Sequence, residues 1–114
     1  TPLQALTMAN DPAFLELAQG FAERLLRELP SADIVARIER AYQLALSRAP
    51  SETERKLLVD YFEAQAADFA GDATAASKLA TDAMKAGPEP YTRGAALVCV
   101  ARAILNTDNF ITRE

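Results

Sequence analysis

Apolar side chains recur along the chain in the steps of three, four and seven that mark one face of an α-helix, and nowhere do they alternate with the period of a strand. From Phe14 the positions Leu15, Ala18, Phe21, Ala22, Leu25, Leu26 and Leu29 form one broad stripe that stops at Pro30. Ahead of it, Thr1-Pro2 and Asn10-Asp11-Pro12 each carry a cap-then-proline start signal, so a short first helix is expected before a turn at Asn10 and a second helix after it. Ser31 reads as the cap of a third helix, whose stripe Ile34, Val35, Ile38, Ala41, Tyr42, Ala45 and Leu46 runs on towards Ala49-Pro50. Ser51 and Glu54 have the spacing of a capping box and open a fourth helix through Leu57, Leu58, Tyr61, Phe62 and Phe69.

From Asp72 to Ala86 the chain is alanine-rich, with Leu79 and Met84 as its only large apolar side chains. A helix there either packs closely through its alanine face or stays mobile, because little hydrophobic burial offsets its ordering entropy. Gly87-Pro88-Glu89-Pro90 breaks the pattern. In the last helix Ala96, Leu97, Val98, Val100, Ala101, Ile104 and Leu105 are apolar nearly all round, which predicts the most buried element and a central strut. Asn106-Thr107-Asp108-Asn109 is expected to turn the chain so that Phe110 and Ile111 fold back as a plug. The fold expected is all-α, a compact bundle of five to six helices with short proline-marked turns, residues 1–114 forming a single helical domain. Charges at helical spacing, Glu23 with Arg27, Asp33 with Arg37 and Glu52 with Lys56, read as solvated faces worth about 0.3–0.5 kcal/mol each.

Composition agrees with helices. Half of the 114 residues are apolar, yet 24 of them are alanine and only eight are valine or isoleucine, a bias that suits helices and starves sheets. Histidine and tryptophan are absent, so a Ser-His-Asp triad, a Cys-His pair, a histidine metal site and a proximal haem histidine cannot be built from these residues. A net charge of −4 disfavours tracking of a phosphate backbone, and no nucleic-acid partner is expected. The single cysteine, Cys99, permits neither an internal disulfide nor a two-cysteine haem attachment, and its Leu97-Val98-Cys99-Val100-Ala101 setting predicts a buried core thiol. No apolar run reaches the ~20 residues of a membrane span, so no membrane insertion is expected.

Several motifs invite sharper readings. The segment Tyr42 to Pro50 is similar to the second helix of a tetratricopeptide unit, but 34 residues beyond Pro50 stands Met84, so the period does not repeat. The helices starting at Ser31 and Ser51 have the layout of a helix-turn-helix. Its basic residues, Arg37, Arg40 and Arg48, lie on the first helix, however, and Ser51-Glu-Thr-Glu54 would meet phosphates with carboxylates; mixed solvent-facing charge is the better reading. The carboxylate pairs Glu52 and Glu54, Asp60 and Glu63, Asp68 and Asp72 sit on polar faces or at helix starts, where the helix dipole explains the latter without chemistry. No catalytic, cofactor-binding or metal-ligating residue is therefore assigned. The amides Gln4, Asn10 and Asn106 and the arginines Arg48 and Arg113 remain as candidate interdomain or ligand contacts.

Three blocks form a linked set: Thr1-Pro-Leu-Gln-Ala-Leu-Thr-Met-Ala-Asn-Asp-Pro-Ala-Phe14, Ala41-Tyr-Gln-Leu-Ala-Leu-Ser-Arg-Ala-Pro50 with Ser51-Glu-Thr-Glu54, and Ala101-Arg-Ala-Ile-Leu-Asn106-Thr-Asp-Asn-Phe110-Ile-Thr-Arg-Glu114. Together they resemble the C-terminal part of a planctomycete-type domain of unknown function that closes large proteins carrying a planctomycete-type cytochrome c domain. The resemblance implies an exported multidomain protein, with no cofactor in this fragment, any haem c on a different domain, and the upstream domains of the same polypeptide as partners. It implies no reaction. Leu97-Val98-Cys99-Val100 stands where relatives often carry a tryptophan, and Asn109 stands where they often carry a glutamate. The chain accordingly reads as a C-terminal fragment acting as a non-catalytic helical interaction module, with an apolar contact patch expected around Leu3, Leu6, Met8 and Phe110. The alternatives are an accessory part of an enzyme or carbohydrate-binding site whose main residues lie upstream, to which Arg48, Asn106 and Arg113 would contribute, and a helical-repeat adaptor.

Overall fold

The structure, a computed structural model, describes residues 11–31 and 33–112, with side chains as far as residue 107. Among the described residues there are six helices and no strand: α1 (Pro12–Glu28), α2 (Ile34–Leu46), α3 (Glu52–Ala70), α4 (Ala73–Leu79), α5 (Asp82–Ala86) and α6 (Tyr91–Thr112). The helix expected ahead of Asn10 lies outside the described residues.

α1 begins as its sequence requires. The Asp11 carboxylate accepts from the Ala13 amide at 2.7 Å, Pro12 occupies the first turn, and Phe14, Ala18, Ala22 and Leu25 are buried. α2 is capped by Asp33, whose Oδ1 accepts from the Ala36 amide at 3.0 Å, and not by Ser31. An ionised cap at the positive end of the helix dipole outdoes a hydroxyl two residues earlier, and Ser31 belongs to the preceding turn. α2 stops at Leu46 because Ser47 takes a left-handed conformation, φ 57°, before Ala49-Pro50 is reached. The capping box at the head of α3 forms as its spacing predicts, with Glu54 N donating to Ser51 Oγ at 3.1 Å and Ser51 N donating to Glu54 Oε1 at 2.8 Å.

Two further expectations are corrected. The stretch 72–86 is two helices, because Ala80 is extended and the Thr81 hydroxyl starts α5 by accepting from the Met84 amide at 3.3 Å. The first packs through the small side chain of Ala76 and the second through Met84, with Ala80 buried between them. At the other end, 106–109 does not turn: α6 continues to Thr112, so the backbone at 110 and 111 does not fold back. Asparagine and threonine cost a helix only about half a kcal/mol relative to alanine and supply no obligatory break. Thr107 Oγ1 also donates to the Ala103 carbonyl at 2.9 Å, satisfying its hydroxyl inside the helix.

The strut itself forms as expected. Ala95 to Ala101 and Ile104 are buried, and α6 touches each of the other five helices, so all six share one core. Stacked repeats meet only their nearest neighbours, whereas these helices are arranged around a common centre. No helix among the described residues is long and apolar enough to cross a membrane.

Candidate functional site

Arginine side chains do most of the polar stitching. Arg37 falls in the same register as Ile34, Ile38 and Ala41, so α2 carries it into the interior, where it is 5% exposed. Its guanidinium donates to the carbonyls of Leu29 (2.8 Å) and Pro30 (3.3 Å), which end α1, and makes a two-pronged pair with Glu89 in the loop before α6. One side chain thus joins α1, α2 and the 87–90 loop, and the expected surface pairing with Asp33 does not form. A cation is favourable against carbonyls at a helix C-terminus, and five donors in a planar fork suit three acceptor groups. Lys56 likewise pairs at 3.6 Å with Asp60, a turn further on, in place of the expected Glu52.

Of the five candidate contact residues, Gln4, Asn10 and Arg113 lie outside the described residues, as does the expected patch at Leu3, Leu6, Met8 and the Phe110 side chain. Arg48 is engaged at the α2–α3 turn. It binds both carboxylate oxygens of Glu54, at 2.8 and 2.9 Å, and lies 5.2 Å from the Tyr42 ring centre. Arg48, followed by the Ser51 amide, holds the Glu54 carboxyl down at about 2. Burial, with the Glu54 charge second, raises the Tyr42 phenol.

Asn106 has a different setting. With Tyr61, Cys99, Arg102 and Ala103 it lines a well of about 250 Å³ between α3 and α6, which Arg48 does not reach. Asn106 Oδ1 itself is closed to water and has no hydrogen-bond partner among the described residues, a state that costs about 1–3 kcal/mol. The Cys99 thiol points to Gln65 Oε1 at 3.9 Å. Burial raises its pKa above the ordinary thiol value, and burial likewise raises the Tyr61 phenol. At neutral pH both groups keep their protons, so they offer hydrogen bonds in place of a thiolate nucleophile or a phenolate base. The sequence places Cys99 in the core and Tyr61 among the apolar positions of α3. Cys99 is buried, but Tyr61 is 39% exposed and Leu57, one turn before it, is 64% exposed.

A second concavity, about 260 Å³, lies between the end of α1, α5 and the 87–90 loop, with Leu26, Pro30, Met84, Pro88 and Pro90 making it largely apolar. Among the described residues no three His, Cys, Asp or Glu side chains gather as a metal ion would need.

No curated protein and no solved structure matches the chain. Residues 1–62, more than half of the 114, match the family described as PSD1, a protein of unknown function (DUF1553); the matched span takes in α1, α2 and the first part of α3, and so contains Arg37 but not its partner Glu89, together with the capping box and Tyr61. The chain therefore belongs to the PSD1 family of proteins of unknown function.

Proposed function

We propose that the chain is a non-catalytic helical interaction module that packs against upstream domains of its own polypeptide, within a larger exported protein that carries a cytochrome c domain. The haem c of that parent resides on the other domain, since a single cysteine and no histidine provide neither its attachment nor its axial ligand here. The observation that carries this reading is the exposure of Leu57 and Tyr61 on one face of α3, a helix whose Phe62, Ala66 and Phe69 fill the core. Apolar groups placed side by side on the surface, a helical turn apart, gain free energy when another surface covers them. The candidate contact Arg48 supports it from the other direction, because its guanidinium is committed to Glu54 and Tyr42 inside the scaffold.

The test is titration calorimetry of this chain against the upstream portion of its parent. Leu57→Asp should weaken binding about tenfold, the loss of roughly 1.4 kcal/mol, while leaving the thermal midpoint of the isolated chain within about a degree. Undiminished binding by Leu57→Asp and Tyr61→Asp would defeat the packing role, and recovery of the parent in the cytoplasmic fraction would defeat export.

A further inference from the structure

We propose that the concavity between the end of α1, α5 and the 87–90 loop binds a free apolar α-amino acid, with its ammonium on Glu23, its carboxylate on Arg27 and its side chain against Met84 and the prolines. Both charged residues line the hollow from α1, Glu23 half-buried and Arg27 exposed. They stand one helical turn apart, yet the ion pair expected at that spacing is not made, and it is Glu28 that takes the neighbouring arginines Arg24 and Arg40. Among the described residues neither Glu23 nor Arg27 has a hydrogen-bond or ion-pair partner for its side chain. The other residues supply no charged partner either. Positions 1–10 and Ala32 carry no ionisable side chain, and the charged Asp108, Arg113 and Glu114 come at least 14 positions after Gly94, which lines the hollow from the start of α6; the helix rises about 21 Å over that span.

The charges on the wall specify the charges of the ligand. Glu89 also lines the hollow, but Arg37 holds both of its oxygens and that pair cancels. One carboxylate and one guanidinium remain side by side. A ligand of single charge gains from one of them and is repelled by the other, whereas an α-amino acid carries both signs on one carbon and is served by both. The rest of the lining selects the side chain. Leu26, Pro30, Pro88 and Pro90 are apolar, and the polarisable sulfur of Met84 favours an aromatic ring. That sulfur lies over Gly94, where a Cβ would stand 2.8 Å from it. A volume of about 260 Å³ is roughly eight to nine water volumes, room for one amino acid of the size of phenylalanine and too little for a peptide.

The experiment is an amide NMR titration of the full 114-residue chain with phenylalanine, in which the Gly87 and Gly94 signals locate the site. It is run at about pH 6, where carboxylates are ionised and α-amino groups protonated. Phenylalaninamide keeps only the ammonium and stands for the first residue of a peptide; N-acetylphenylalanine keeps only the carboxylate and stands for the last. Phenylalanine should shift both glycine signals and bind about threefold tighter than either derivative, and glycine, a zwitterion without a side chain, should leave them unmoved. Glu23→Gln should weaken phenylalanine and phenylalaninamide about threefold and spare N-acetylphenylalanine, while Arg27→Gln should weaken phenylalanine and N-acetylphenylalanine and spare phenylalaninamide. Glycine signals unmoved by phenylalanine, or wild-type affinity for it in either charge variant, would overturn the proposal. Equal affinity for phenylalanine and one of its derivatives would also overturn it, by giving the hollow to a peptide terminus.

Discussion

Arg37 shows how one side chain can hold distant segments together. Removing it strands the half-buried Glu89 carboxylate and two carbonyls at the end of α1, so Arg37→Ala should destabilise the chain by about 3 kcal/mol in urea unfolding. Arg37→Lys should recover less than half of that loss, because an ammonium cannot span the carboxylate and the carbonyls at once. The sequence reading sets Arg37 on a solvated face beside Asp33, and the structure corrects it: standing three residues after Ile34 and one before Ile38, it shares their buried register. Its partner is not legible in the sequence, because Glu89 is 52 positions away and only the fold brings it near. Glycines at two sites make opposite predictions. Gly20 sits mid-helix in α1 with open space where a Cβ would be, so Gly20→Ala should raise stability by about 0.5–1 kcal/mol. At Gly94 a Cβ would stand 2.8 Å from Met84 Sδ and 3.3 Å from Met84 Cβ, where α5 crosses α6. Gly94→Ala should lower stability by about 1 kcal/mol despite its better helix propensity, as a shifted thermal midpoint would register.

Helix ends carry a second group of consequences. Glu54 belongs both to the capping box of α3 and to the Arg48 pair, and its carboxyl is held down at about 2, well below the ordinary carboxyl range. A carboxyl depressed on folding contributes stability that is present above its unfolded value and is lost as pH falls through the folded one. The chain should accordingly lose stability between about pH 5 and pH 2, and Glu54→Gln should flatten that part of the curve while costing about 1 kcal/mol at pH 7. Denaturant midpoints collected across this window check both. Starts of this kind are legible in the sequence where the cap bonds an amide within three residues, as at Asp11 and Ser51. Boundaries set by competition were harder. Asp33 displaced Ser31 as the cap, Thr81 divided what read as one helix, and 106–109 stayed helical, because composition alone does not say which of several weak stop signals prevails. Gln19 adds a tertiary vote at the α4–α5 break, its Nε2 donating to the Leu79 carbonyl at 2.8 Å.

Every other helix rests on α6, so the six should unfold together. Far-UV circular dichroism and tyrosine fluorescence are expected to report one coincident transition, and Leu97→Ala, which empties a position 1% exposed, should lower stability by about 3 kcal/mol without splitting it. Two separated transitions would mean that the helices do not share a core. The all-α architecture, the buried thiol and the role of the last helix follow from periodicity, capping chemistry and an alanine-heavy composition, because each depends on residues within a turn or two of one another. The crossing of α3 over α6 is another matter. It set Tyr61 beside Cys99 and Asn106 around an open depression and left Leu57 and Tyr61 outside the core, since these properties belong to surfaces that meet across more than thirty residues of chain. Local pattern determined which segments became rods and which faces were oily; the packing of those rods decided which groups were paired, which were buried and which were left exposed.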